Sequence, residues 1–308
     1  MDRRGRPLTL AAALAALLLA GAAGPSALLL LRAQAWTAPG ETVARDLTTA
    51  PGECLAERTP DVEIGRALFR SPVLFGGPAA RAGLSCDACH SNGRVNASFL
   101  LPELTDRPGH ADVTSEWASD VRGDGMLNPV AIPDLLDVSA RNVFGRLREP
   151  SLDRFVRSVI VEEFQGEPPS EQALRGLTTY LRALRAQACP EQGSAMTLQS
   201  AADDVRRAVM AAEGADAETA RLLLLAGQDA IGRIVERLPA RRFARDRSRF
   251  ETLARELGAL RDSENMVAAM GETMPGWRAR FDAAVARIAR REYYTYFNEA
   301  TLHAALDR

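Results

Sequence analysis

An excess charge of one sign is missing from this 308-residue chain: 38 basic residues stand against 40 acidic ones, for a formal net charge of −2. A near-balanced chain exerts no strong pull on nucleic acid, so that class of partner is excluded. No alternating apolar–polar pattern precedes residue 86. This makes a redox-active C-x-x-C of thioredoxin type the minor reading of residues 86–89, since that motif follows a strand and opens a helix. Cysteine is scarce, with four in the chain, and histidine scarcer, with three. Long apolar runs are missing as well, except at the N-terminus.

That one run extends from Leu8 to Leu31 behind a basic tip of Arg3, Arg4 and Arg6. Ala33-Gln34-Ala35 has the form of a signal-peptidase site, which puts the mature start at Trp36. The run is also long enough to be a retained anchor. Residues 1–35 are thus a signal peptide or an N-terminal membrane anchor, with residues 8–31 as the tether. Either outcome predicts a periplasmic protein, soluble or anchored to the inner membrane.

The sharpest motif is Cys86-Asp87-Ala88-Cys89-His90. C-x-x-C-H is the attachment run of a c-type haem: two thiols for the porphyrin vinyl groups and an adjacent imidazole for the iron. The expected cofactor is one covalent haem c, held by Cys86 and Cys89, with His90 as proximal ligand. There is no second such run. Cys54 and Cys189 bracket the region and are natural disulfide partners in an oxidising compartment. A zinc site built from the four cysteines, or from three and His90, is the rival.

The second axial position has several candidates. Met126 lies in the glycine-rich Gly123-Asp124-Gly125-Met126 loop, and a thioether opposite histidine suits electron transfer. The expected metal ligands are therefore His90 and Met126. His110, Met196 and an open position are the alternatives, and an open position admits peroxide. Met210, Met266, Met270 and Met274 fall in helical sequence, where packing or exposure is the default, and His303 near the C-terminus reads as solvated. Arg81, Arg94 and Arg122 are candidates to neutralise haem propionates, with plain surface placement as the alternative. Trp117 reads equally as a haem neighbour or a satellite core residue.

The pattern along the chain is all-α. A helix is predicted over 61–69 behind Pro60, followed by loops rich in Gly and Pro. Helical pattern returns at 132–138 and 152–164. Ser170 is a candidate cap for a helix in which Leu174, Leu177, Leu181 and Leu184 recur at helical spacing. Residues 190–194 read as a boundary. Beyond it lie predicted helices over 198–213, 216–238, 246–260 (with Asp246 as cap) and 277–303, with turns near Gly271 and at Pro275-Gly276. Residues 36–190 thus read as a cytochrome c-like haem domain and 191–308 as a small helical bundle.

Residues 65–72, Cys86–His90, the stretch from Asn128 to Val138 and Pro150-Ser151-Leu152 together resemble the bacterial di-haem cytochrome c peroxidase and MauG-like family. The resemblance spans about residues 61–185. It implies a cytochrome fold and peroxide chemistry shared between two haems. This chain has one haem motif, and Val143–Arg148 stands where the family's second domains carry a methionine. The functional expectation is a monohaem cytochrome carrying electrons to a redox partner protein. The alternative is a cytochrome c peroxidase-like oxidoreductase acting on hydrogen peroxide, completed by a partner haem subunit. A haem-based sensor is the third reading.

Overall fold

The computed structural model describes residues 30–191 and 193–307. The expectations for residues 1–29 lie outside these. Eleven α-helices make up the described fold. Six precede residue 190: α1 (Val43–Asp46), α2 (Pro60–Phe69), α3 (Gly77–Arg81), α4 (Cys86–Cys89), α5 (Leu152–Ser158) and α6 (Glu171–Ala183). Five follow: α7 (Leu198–Glu213), α8 (Ala217–Glu236), α9 (Ala240–Arg261), α10 (Met266–Ala289) and α11 (Glu299–Leu306). Two antiparallel pairs of two-residue strands complete it: β1 (Thr49–Ala50) with β4 (Ser194–Ala195), and β2 (His110–Ala111) with β3 (Val130–Ala131).

Helix α2 starts where the sequence says it should. The Thr59 hydroxyl accepts from the Val62 N–H, and Pro60 occupies the first turn, where no helical N–H bond is lost. Ser170 caps α6 in the same way through the Ala173 N–H. The two helices pack against each other at a pair of glycines. A Cβ added to Gly65 would lie 2.0 Å from the Gly176 carbonyl oxygen, so neither backbone tolerates a side chain there. Phe69 and Tyr180 close the same interface with ring centroids 5.2 Å apart.

The C-terminal helices differ from the sequence pattern in three places. Asp246 caps nothing; α9 begins at Ala240, and Asp246 is buried inside it between Arg249 and Arg291. No turn forms at Gly271 or at Pro275-Gly276, because α10 runs straight through them. Met270, Met274, Trp277 and Phe281 lie on one buried face there, and that apolar stripe outweighs the breakers. The chain leaves the helix at Arg290 and re-enters as α11.

Residues 132–138 are not helical. Asp137 adopts a left-handed φ of 53°, and only a short 3₁₀ turn follows at Val138–Ala140. After Ser158 the 152–164 helix widens into a π-helical turn, Val159–Glu163. Buried apolar side chains from Trp36 to Phe297 form one continuous cluster that crosses residue 190. Among the described residues, no helix is long and apolar enough to cross a membrane.

Candidate functional site

The sharp motif occupies a single helical turn. Cys86 to Cys89 form α4, and the His90 N–H closes the turn on the Cys86 carbonyl at 2.9 Å. Asn92 then adopts φ 52° and Gly93 φ 80°, which reverse the chain. A Cβ at Gly93 would meet Leu184 at 2.4 Å, so glycine is required there for space as well as for conformation. Asp87 Oδ1 accepts the Asn92 N–H at 2.8 Å, and the Asn96 amide donates to the Ala88 carbonyl at 2.8 Å.

The turn is tied to the rest of the fold by a buried ionic network. Arg70, at the C-terminal cap of α2, donates to the Asn92 side chain and lies 3.6 Å from Asp87. Asp204 of α7 holds Arg66 at 2.7 Å and Arg70 at 3.3 Å, and Glu53 holds Arg66 at 2.8 Å. A cleft of about 510 Å³ opens beside this network; Asp87, Ala88, Ser91 and Asn92 line it, whereas Cys86, Cys89 and His90 do not.

Cys54 and Cys189 form the expected disulfide. Cys86 and Cys89 are free and half-buried. Burial and the Asp87 charge push the Cys86 thiol up to about 12. Burial, with the neighbouring Cys86, pushes Cys89 up as well. His90 Nδ1 lies 3.0 Å from the Pro133 carbonyl, the role that the non-helical 132–138 segment serves. Burial lowers the His90 pKa to about 4, so the imidazole is neutral, Nδ1 donates and Nε2 keeps its lone pair.

The remaining sequence-derived candidates lie elsewhere. Met126 is 63% exposed, its N–H bonded to Asp124 at 3.0 Å. Both ring nitrogens of His110 are taken, by Arg107 and by the Pro108 carbonyl. The Met196 sulfur accepts from Arg237. His303 pairs with Asp307 at 2.8 Å. Arg94 pairs with Asp134, and Arg122 with Glu162 and Glu163. Trp117 packs on the edge of the core. Met266, Met270 and Met274 are buried, and Met210 is exposed.

These placements correct the functional expectation. Among the described residues no group of three or more His, Cys, Asp or Glu side chains is placed to hold a metal ion. The thioether chosen to complete the iron's coordination stands in solvent. The assignments of haem c, of iron held by His90 and Met126, of cytochrome electron transfer and of peroxidase activity are therefore withdrawn. The zinc alternative goes with them, since two of its four thiols are spent on the disulfide.

Two features of the fold are not marked in the sequence. One is the Arg66–Arg70–Asp204 network, whose partners lie more than 130 positions apart. The other is Glu163, a buried carboxyl that shares Arg122 with Glu162. No family model matches the chain, and neither a curated protein nor a solved structure matches it.

Proposed function

We propose that Cys86 and Cys89 work as a reversible dithiol–disulfide pair that exchanges with a disulfide of a partner protein. The observation that carries this reading is the pair of free sulfurs on one turn, three residues apart. The Cys86 thiolate attacks a partner disulfide and breaks its S–S bond, so that one partner sulfur leaves as a thiolate and the other is held in a mixed disulfide. The Cys89 thiolate then displaces the partner's sulfur. Two protons leave the thiols, and two electrons pass to the partner. At neutral pH burial holds both sulfurs as thiols, which keeps the resting site slow. The Cys54–Cys189 bond and the basic tip with its apolar run support work outside the cytoplasm.

The test uses the full chain, made in a cell that exports it and has working cytochrome maturation machinery. Intact mass and alkylation are read before and after mild reduction. The expected result is a bare polypeptide in which Cys86 and Cys89 gain two labels on reduction while Cys54–Cys189 stays closed. A covalent group on either sulfur, or a pair that never closes under a disulfide donor, overturns the reading.

A further inference from the structure

A second feature, independent of the thiols, lies where the start of α9 meets the end of α10. The chain contains no lysine; all 38 of its basic residues are arginine. Five of them crowd the start of α9: Arg241, Arg242, Arg245, Arg247 and Arg249. Arg247 is spent on the Val235 and Leu238 carbonyls. The other four join Arg287 and Arg291 in lining a concavity of about 370 Å³.

Its one acidic lining residue is Asp246, which is buried and already engaged by Arg249 at 2.9 Å and Arg291 at 2.7 Å. No acidic partner among the described residues pairs with Arg241, Arg242, Arg245 or Arg287, whereas Arg206, Arg207, Arg278 and Arg280 of the same helical region are each paired. Two of the guanidiniums are also held by aromatic faces: Arg242 lies 3.6 Å from the Tyr294 ring centroid, and Arg291 lies 4.8 Å from that of Phe243. A near-neutral chain has thus gathered six cations around one carboxylate, several of them fixed in direction.

We propose that this concavity is a binding site for a ligand carrying two or more phosphate groups. The planar guanidinium fork matches phosphate oxygens in pairs, and a single phosphate would leave most of the positive charge unmatched. The same chemistry is offered by a free polyphosphate and by the clustered headgroups of an anionic lipid surface.

The test titrates the full-length protein at low salt with inorganic tripolyphosphate, and in parallel with phosphatidylglycerol vesicles against phosphatidylcholine vesicles. Saturable tripolyphosphate binding that raises the melting temperature and weakens with salt supports a free ligand. Binding to phosphatidylglycerol vesicles alone supports a headgroup. In either arm Arg241→Gln/Arg245→Gln weakens binding by about tenfold or more, and Arg287→Gln, on the other helix, weakens it too. Arg280→Gln, which removes a paired arginine outside the concavity, leaves binding unchanged. Because the substituted arginines have no acidic partners, the ligand-free variants melt at or above the wild-type temperature. Binding to neither probe, or binding indifferent to all three pocket substitutions, overturns the proposal.

Discussion

A buried ionisable side chain reports its surroundings through its pH dependence, and two residues here do so cleanly. The Cys86 thiol, pushed up to about 12 by burial and by Asp87, is almost wholly protonated at neutrality. Its alkylation rate by iodoacetamide is expected to rise about tenfold per pH unit from about pH 7 to about pH 10, without the plateau that an activated thiol would show. A plateau near neutrality would mean that the thiolate is stabilised. Glu163 is pushed up to about 7, chiefly by burial; Arg122 opposes this but is shared with Glu162, whose charge adds to the rise. Between about 4.5 and about 7 the folded protein keeps a proton that the unfolded chain has released, so this group's contribution falls as pH rises through that window. His90 acts in the opposite sense: its lowered pKa favours the unfolded state as pH falls from 6.5 towards about 4. The difference between wild type and Glu163→Gln removes the histidine term. Denaturant midpoints should show the variant gaining on wild type from about pH 5 to about pH 7.5, by at most about 3 kcal/mol. Equal gaps at both pH values would count against the raised carboxyl. The motif at 86–90 was legible in the sequence because its residues are adjacent. Glu163 was not, because burial is a property of the packed chain.

Caps and close approaches decide which elements a sequence reveals. Pro60 and Ser170 announce α2 and α6 by local chemistry, and both helices start where the sequence places them. Pro275 and Gly271 announce breaks that do not occur, since the stripe of Met270, Met274, Trp277 and Phe281 gains more by staying buried than the breakers cost. Asp246 has the chemistry of a cap and serves instead as a buried anion for two arginines. That choice depends on Arg291, just beyond the end of α10 and 45 positions away in the chain. The Gly65–Gly176 contact is equally invisible in sequence, where glycines inside helical patterns read as weak points. In the fold they are the reason α2 and α6 touch. Gly65→Ala places a methyl 2.0 Å from the Gly176 carbonyl oxygen, and that backbone atom has no rotamer to escape into. We expect a loss of about 3 kcal/mol in denaturant unfolding, despite the better helix propensity of alanine. A neutral or stabilising result would show that the two helices separate without cost.

Over the whole molecule, the part before residue 190 and the part after it share one apolar core and one ionic network. The sequence suggested two units because composition changes near Pro190. It could not show that Asp204 of α7 lies between Arg66 of α2 and Arg70 at that helix's C-terminal cap, for nothing local marks a contact of that range. Burial works to raise the Asp204 pKa, and Arg70, Arg66 and Arg233 together overcome it, holding the carboxyl well below its ordinary range. Its contribution is therefore complete at neutral pH and is lost as pH falls below the usual carboxylate range. Asp204→Ala leaves two nearly buried guanidiniums without their shared anion, and breaking such a pair costs about 3–5 kcal/mol. Cys54→Ser with Cys189→Ser releases a closure spanning 135 positions and costs about 2–4 kcal/mol. The tryptophans separate the two parts: Trp36 and Trp117 report on the first, and Trp277, stacked on Phe281 and bonded to the Leu253 carbonyl, on the second. A continuous core requires the parts to melt together. In a Trp36→Phe/Trp117→Phe background, fluorescence follows only α10 while circular dichroism follows all helices. Asp204→Ala should lower both midpoints by the same amount, with the two curves still coincident. If the fluorescence transition stays in place while part of the helical signal melts early, the Arg66–Arg70–Asp204 network stabilises only the first part, and the shared core does not couple the two.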